Sequence, residues 1–302
     1  MTNPTESPRP GGTTVLAGRT VSRIGYGAMQ LDRLRSDRDS AARLLRRAVE
    51  LGVDHIDTAE FYGFGFMNEI IGEAVRPEDD VTIVTKVGWE ADGDGPMPLR
   101  LAQRPEQLRE SVEQNLRSLR MDQLPVVNLR RTDAGPTLPA PADQIIDLDD
   151  QLAELLAMRD EGVIGDIGLS TVSLEVLERA LPAGLVCVSH AYSLVDRTAE
   201  ALLDLCVANG ITWVPYFPLG SAFPGFPKVA DEKAVRSIAA ELSVTPAQVG
   251  LAWLLHRTPD ILLIPGTASI GHLEANIAAG DICLDSDMLD ELDQVSSRSS
   301  QQ

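Results

Sequence analysis

The sequence predicts a single α/β domain with the architecture of a (β/α)8 TIM barrel. Apolar strand-like runs alternate with helical stretches eight times, a pattern typical of a parallel sheet with crossover helices. The 302 residues are 44% hydrophobic, enough for one large core, and barrels of this length commonly form one domain. No GxGxxG turn follows the first strand, although a doubly wound nucleotide-binding domain would normally have one.

The elements follow in a regular order along the chain. The expected strands cover residues 24–27, 53–57, 81–86, 124–129, 164–169, 185–189, 212–216 and 261–264. The expected helices cover residues 38–51, 67–75, 105–119, 148–161, 173–180, 197–209, 231–257 with a break near Pro246, and 273–279. Gly52 and Gly210 each follow a periodic stretch, and Pro246 suits the first turn of a helix, so these boundaries have a local cause. Residues 1–14 are expected to form a disordered tail, and residues 15–302 the barrel.

Three reactive side chains follow two neighbouring strands. Asp57 and Tyr62 lie in the segment 57–63 (DTAEFYG), and Lys86 ends the next strand. Active sites of barrel enzymes lie at these C-terminal strand ends. Lysine is rare here, only three of 26 cationic residues, so a lysine that ends an apolar strand favours a need for an amine. Taken singly, the three residues also suit structural roles, as a capping aspartate, a loop aromatic and a lysine that reaches solvent.

The segments 55–63 (HIDTAEFYG) and 85–88 (TKVG) resemble the active-site signatures of the aldo-keto reductases. The resemblance extends from residues 21–29 (VSRIGYGAM) to residues 264–276 (IPGTASIGHLEAN), nearly the whole chain. It implies a nicotinamide-dependent carbonyl reductase in which Tyr62 gives a proton to the carbonyl oxygen while the cofactor gives hydride to the carbon. Phenols are weak acids at neutral pH, so the ammonium of Lys86, held by Asp57, would favour release of that proton.

The fourth strand departs from the family pattern. Most relatives have a histidine at its end, whereas this chain has Arg130 in the segment 126–131 (VVNLRR). Arginine is always charged, so Arg130 is expected to orient the carbonyl, stabilise alkoxide charge or bind an anionic substrate group. A surface arginine that merely follows the strand is the alternative. Arg131 is expected to face away, and His256 lies in a helical segment too distant to replace the histidine.

The arginine variant resembles a branch of the family that includes pyridoxal reductases. Pyridoxal carries an aldehyde beside a phenolic oxygen that is readily anionic, which suits a cationic site. Other aldehydes with carboxylate or phenolate groups would suit Arg130 equally well.

The resemblance also implies a cofactor site along the C-terminal rim of the barrel. Barrel enzymes often bind phosphate with the loops after the seventh and eighth strands and a nearby helix N-terminus. NADPH is the expected cofactor, with NADH as an alternative, because Gly266 and His272 replace the lysine and arginine that many relatives place on the 2'-phosphate. Thr171 replaces the asparagine of a usual Ser-Asn pair. The residues assigned to this site are Gly27, Ala28, Met29, Ser170, Thr171, Ser189, Tyr216, Pro218, Leu219, Gly220, Ser221, Pro265, Gly266, Thr267, His272 and Asn276.

Charge and composition weigh against other classes of partner. A net charge of -19 would repel nucleic acid and anionic membranes. No apolar stretch approaches the roughly 20 residues of a membrane span, and the N-terminus lacks an apolar signal core. We therefore expect a cytoplasmic protein. The resemblance implies that it acts on a small carbonyl compound, and we expect a monomer or weak homo-oligomer. Cys187, Cys206 and Cys283 are widely spaced, so they are expected to be inert core thiols rather than metal ligands or disulfide partners.

Two other functions stay open on sequence alone. One is a cofactor-binding subunit that senses redox state, which the retention of Asp57, Tyr62 and Lys86 disfavours. The other is a barrel lyase that uses Lys86 as a Schiff base. The spacing of Asp57 and Tyr62 disfavours this lyase.

Overall fold

The computed structural model describes residues 9–94, 98–134, 140–220 and 226–295. The strands in this part of the chain are β1 (Thr13–Leu16), β2 (Arg19–Ser22), β3 (Tyr26–Gly27), β4 (His55–Asp57), β5 (Thr82–Val87), β6 (Trp89–Ala91), β7 (Leu99–Leu101), β8 (Leu124–Arg130), β9 (Ile164–Ser170), β10 (Cys187–Ala191) and β11 (Thr212–Tyr216). The α-helices are α1 (Arg38–Glu50), α2 (Phe66–Ala74), α3 (Pro105–Leu119), α4 (Leu148–Asp160), α5 (Leu174–Ala180), α6 (Glu200–Ala208), α7 (Lys233–Glu241), α8 (Pro246–Arg257), α9 (Ile270–Ala278) and α10 (Ser286–Asp293).

Seven parallel strands and one bridging segment close the barrel. The sheet runs in the order β11-β10-β9-β8-β5-β4-β3. The segment 261–264 joins its two edges, since Ile261 pairs with Trp213 of β11 and Leu263 pairs with Ile24 just before β3. The eight-stranded (β/α)8 barrel predicted from the sequence is therefore confirmed.

The interior of the barrel is apolar in one half and polar in the other. Val84 and Val126, which point inward from β5 and β8, pack with Leu16 and Val21 of the β1–β2 hairpin. This hairpin covers the N-terminal end of the barrel, where Thr212 Oγ1 donates a hydrogen bond to the Val15 carbonyl at 2.9 Å. The apolar cluster thus fills the N-terminal half of the barrel, and the polar side chains lie in the C-terminal half, where barrel active sites are found.

The N-terminal boundary differs from the expected one. Thr13 and Thr14, assigned to the tail, belong to β1, and the carbonyl of Pro10 accepts a hydrogen bond from Ile24 N at 3.1 Å. A four-residue strand beside Pro and Gly residues has too little periodicity to be recognised. Cys283 is also misassigned, because it is exposed, whereas Cys187 and Cys206 are buried.

Among the described helices, no single one is long and apolar enough to cross a bilayer, and α7 with α8 passes only as a pair bent by 99°.

Candidate active site

Lys86 and Asp57 form a buried ion pair in the polar half of the barrel. Lys86 Nζ lies 2.5 Å from Asp57 Oδ1 and also donates to the Thr58 carbonyl at 3.0 Å. The two charged side chains are only 3% and 5% exposed. They meet because β4 and β5 are adjacent parallel strands and both residues point inward near the strand ends.

The surroundings of Lys86 keep its amine charged. Burial alone would lower the pKa of Lys86, because burial disfavours the charged form. Attraction to Asp57 and Tyr62, together with the hydrogen bond to Asp57, outweighs this and raises the pKa of Lys86 above its ordinary value. A protonated amine is a poor nucleophile, so an environment that raises the pKa of Lys86 disfavours a Schiff-base role.

Tyr62 lies beside the ammonium at the mouth of the barrel. Lys86 Nζ is 5.1 Å from the centre of the Tyr62 ring. Phe61 packs edge-on against that ring, with the two ring centres 5.1 Å apart. Residues 63–65 then turn the chain into α2 with left-handed φ angles of 54°, 55° and 82°. The structure thus brings Asp57, Tyr62 and Lys86 together as the sequence predicts.

Arg130 occupies the same mouth. Its guanidinium carbon lies 5.0 Å from the centre of the Trp89 ring and 6.0 Å from that of Phe61. Its Nε has no hydrogen-bond partner, and none of the salt bridges between described residues includes Arg130. Arg131 faces away, as strand alternation requires, and its Nε lies 2.6 Å from Asp133 Oδ2.

Trp89 is a site residue that the sequence reasoning missed. It begins β6, which pairs with β7 to form a hairpin over the barrel mouth, and Trp89 faces Leu101 in that pairing. Trp89, Phe61, Leu101 and Ala59 form one buried apolar cluster. The sequence does place a tryptophan three positions after Lys86, which could have indicated a site residue. The strand that carries it, β6, is too short to show a strand pattern. The mouth therefore combines aromatic walls with a cation that has no salt-bridge partner among the described residues.

Hydroxyl groups line the barrel rim on β9, β10 and β11. Thr171 Oγ1 lies 3.2 Å from the Tyr216 hydroxyl and 3.4 Å from Ser170 Oγ. Ser189, which pairs with Ser170 across β9 and β10, has a buried hydroxyl that finds no hydrogen-bond partner among the described residues. His190 stacks against Tyr216, and burial lowers the pKa of His190, so its ring is neutral at neutral pH. An amide bound at this rim would satisfy the Ser189 hydroxyl.

Strand β3 and the segment 261–264 approach each other closely at their C-terminal ends. A Cβ on Gly27 would lie 2.5 Å from the Ile264 carbonyl oxygen, and a Cβ on Gly266 would lie 2.7 Å from the Gly27 carbonyl oxygen. Both positions therefore require glycine. Next to them, Ala28 is buried and Met29 is 43% exposed.

The loop after the last strand segment leads into α9. Pro265 and Thr267 are buried, and the Thr267 carbonyl accepts a hydrogen bond from Tyr26 at 2.6 Å. Ser269 caps α9, in which His272 is exposed and Asn276 is half-buried one turn later. Pro218, Leu219 and Gly220 follow β11 at the same end of the barrel, whereas Ser221 lies outside the described residues.

Known proteins resemble this chain along almost all of its length. Residues 23–297 match the Aldo/keto reductase family. The chain is 41% identical to pyridoxine 4-dehydrogenase of Escherichia coli (strain K12) over 292 residues, which covers 94% of this chain and 98% of that protein. It is 32% identical to the uncharacterized oxidoreductase C215.11c of Schizosaccharomyces pombe, over 94% of this chain and 89% of that one.

A solved structure shows the same architecture. The aldo-keto reductase from Klebsiella pneumoniae, in complex with NADPH, superposes with a TM-score of 0.77 at 26% identity and covers 94% of each chain. Since both the sequence and the barrel match over this length, the chain belongs to the aldo/keto reductase family and is an oxidoreductase of carbonyl compounds.

Proposed function

We propose that the protein reduces an aldehyde to an alcohol with NADPH, with Tyr62 as the proton donor, and that it prefers aromatic aldehydes with a negative charge near the carbonyl, such as pyridoxal. Two relatives support this proposal. The Escherichia coli relative is named pyridoxine 4-dehydrogenase, and the Klebsiella pneumoniae structure is a complex with NADPH. Arg130, charged and without a carboxylate partner among the described residues, is the observation that carries the substrate class.

The catalytic groups have separate tasks in this proposal. NADPH, when held by the residues of the rim, would supply the hydride for the carbonyl carbon. Tyr62 donates its hydroxyl proton to the carbonyl oxygen. Lys86 stabilises the negative charge that remains on the phenol oxygen, because its amine stays protonated. Asp57 fixes the position of that amine through the 2.5 Å contact.

The residues of the rim fit a nicotinamide dinucleotide. The buried hydroxyl of Ser189 and the neighbouring Ser170 suit the carboxamide, and the Tyr216 ring offers a face for the nicotinamide. The capped N-terminus of α9 suits phosphate, because its free backbone N–H groups carry partial positive charge. His272 lies in the first turn of this helix, where it would contact the 2'-phosphate that distinguishes NADPH from NADH.

Arg130 defines the substrate class because it is half-buried and has no acidic partner in the part of the chain that the structure describes, and a buried cation without a counterion is unfavourable. Exposed arginines of this chain do form salt bridges, for example Arg179 with Asp147 and Asp149. Arg130 instead lies against the Trp89 ring. A flat phenolate that stacks at this aromatic wall would supply the counterion.

The substrate class is tested with Arg130→Ala. We expect kcat/KM for pyridoxal to fall by about 10- to 150-fold, the equivalent of one charged hydrogen bond, and kcat/KM for neutral aldehydes to fall far less. The dissociation constant of NADPH should hardly change. Arg131→Ala is the matched control, because Arg131 pairs with Asp133 outside the site, so it should spare both substrates. Equal losses on charged and neutral aldehydes in Arg130→Ala would remove the basis for an anionic substrate.

The proton donor is tested with Tyr62→Phe. This change removes the phenol oxygen but keeps the ring against Phe61. We expect kcat for aldehyde reduction to fall by at least roughly 100-fold, which is the contribution of a general acid. The dissociation constant of NADPH should not change. Tyr192→Phe removes a hydroxyl bonded to Glu200 elsewhere in the barrel and should leave turnover intact. Turnover by Tyr62→Phe near the parent rate would assign the proton to another group.

We also propose that the chain from Thr13 onward acts as one barrel domain in the cytoplasm, as a monomer or weak homo-oligomer, without nucleic acid or membrane partners. The net charge of -19 supports the proposed lack of nucleic acid and membrane partners, because it repels polyanions and anionic lipid surfaces. Sedimentation velocity of the purified chain over a range of concentrations tests the oligomeric state. A stable assembly at low concentration would contradict the proposal.

A further inference from the structure

A chain of buried hydrogen bonds connects the back of the active site to the outer helices. Thr58 Oγ1 donates to Asn68 Oδ1 of α2 at 2.7 Å. Asn68 Nδ2 in turn donates to Asn115 Oδ1 of α3 at 2.9 Å, and Thr85 Oγ1 donates to the same oxygen at 2.5 Å. These four side chains are 0% exposed. Side chains in such a fully bonded buried network have very little freedom to turn.

Glu60 terminates this network on the outer side. Its Oε2 accepts hydrogen bonds from Asn68 Nδ2 at 2.7 Å and from Ser118 Oγ at 2.5 Å. Asn68 thus contacts Glu60, Thr58, Asn115 and Ser118 at once from the middle of the network. Asn68 lies in the first turn of α2, so these contacts join the start of this helix to α3 and to the segment after β4.

Thr58 is the member of the network that touches the active site. Its carbonyl accepts the second hydrogen bond of Lys86 Nζ, at 3.0 Å. The direction of this carbonyl is fixed from two sides, since Thr58 N donates to the Val84 carbonyl at 2.8 Å and the Thr58 hydroxyl is held by Asn68. Two oxygens, from Asp57 and Thr58, therefore define where the ammonium lies.

We propose that Asn68 is a positioning residue for Lys86 and acts through Thr58. Release of the Thr58 hydroxyl lets its peptide turn, and the ammonium then loses one of its two oxygens. The charge that assists the phenol of Tyr62 is thereby displaced, although no residue that touches substrate has changed. This inference rests on the roles of Tyr62 and Lys86 proposed above.

Thr58→Val and Thr85→Val form a matched pair that tests the inference. Each removes one buried hydroxyl at a strand end and one hydrogen bond to an asparagine of the same network. Of the two threonines, only Thr58 has a carbonyl that accepts a hydrogen bond from Lys86 Nζ. We expect Thr58→Val to lower kcat by about 10-fold and to move the alkaline limb of the kcat pH profile, with KM for NADPH unchanged. Thr85→Val should do neither, and Thr58→Ser, which keeps the hydroxyl, should restore both.

Asn68→Ala provides a second arm, with urea unfolding to show that it folds. It should reproduce the displaced pH profile of Thr58→Val. Identical kinetics in Thr58→Val and Thr85→Val, with the parent pH profile in both, would overturn the inference and leave the network a purely structural role. A Lys86→Met variant with the parent rate and pH profile would instead refute the proposed chemistry itself, so the two failures are distinguishable.

Discussion

Thr171 holds a backbone conformation that suits other residues better. Its φ of +59° lies in the left-handed region, where a β-branched side chain is strained. The strained turn places its hydroxyl 3.2 Å from that of Tyr216 at the expected nicotinamide site. Asparagine, the residue expected here from the family pattern, tolerates this region well. The chain therefore gives up some stability at this position.

We expect Thr171→Asn to raise the free energy of unfolding by about 1 kcal/mol, because asparagine relieves the backbone strain. NADPH affinity should be kept or improved. Urea unfolding and NADPH titration measure the two effects. Ser243→Gly is the control, since Ser243 has a φ of +55° on the exposed turn between α7 and α8. It should gain stability with no change in NADPH affinity. A destabilised Thr171→Asn would show that the threonine contacts outweigh the strain.

At the scale of the single residue, sequence reasoning succeeded where adjacency alone sets the geometry. Asp57 and Lys86 meet because parallel neighbouring strands bring inward-pointing residues together. The Thr58 carbonyl was not foreseen, because the direction of a peptide group depends on buried contacts with another helix. The stacking of Arg130 on Trp89 likewise depends on a hairpin whose strands are three residues long.

At the scale of the element, strands in the barrel were easier to predict than the pieces around it. Segments rich in apolar and β-branched residues mark β5 and β8, whose residues are mostly buried on both faces of the sheet. The hairpins β1–β2 and β6–β7 and the helix α10 were missed, because short elements give little periodicity. α9 begins three residues before the expected start, because Ser269 caps it ahead of Ile270-Gly271, which reads as a loop.

The N-terminus of α9 is where the choice between cofactors should be decided. His272 occupies its first turn, exposed to solvent. We expect His272→Arg to tighten NADPH binding by about 10-fold or more, through a charged hydrogen bond to the 2'-phosphate, and to leave NADH binding unchanged. His256→Arg, on the exposed side of α8, controls for added charge. Equal gains for NADH and NADPH would show that position 272 does not contact the 2'-phosphate.

At the scale of the whole molecule, acidic residues outnumber cations by 45 to 26. Many cations are paired at the surface, as Arg38 is with Glu69 and Glu73, but exposed pairs contribute little to stability. The unpaired acids repel one another. The folded state therefore bears an electrostatic cost that depends on ionic strength.

We expect the melting temperature to rise when NaCl increases from about 10 to about 200 mM, because the Debye length falls from about 30 Å to less than 10 Å. Differential scanning calorimetry measures the change. An uncharged osmolyte at equal osmolality controls for effects other than screening. A melting temperature that falls with salt would show that the surface ion pairs contribute more than the net repulsion costs.

The barrel closes where the segment 261–264 pairs with the chain just before β3, and this closure constrains the order in which the chain acquires structure during synthesis. Ile24 can pair with Leu263 only after residue 263 has been synthesised. Likewise, Thr14 Oγ1 of the β1–β2 hairpin can donate its hydrogen bond, 3.1 Å long, only after Asp260 has been synthesised. The ribosome delivers the N-terminal end first, so Leu16 and Val21 emerge long before the segment that encloses them. The nascent chain must keep this apolar hairpin from premature association until residues 261–264 have been synthesised, and an interruption before that point would release an open sheet with two unpaired edges.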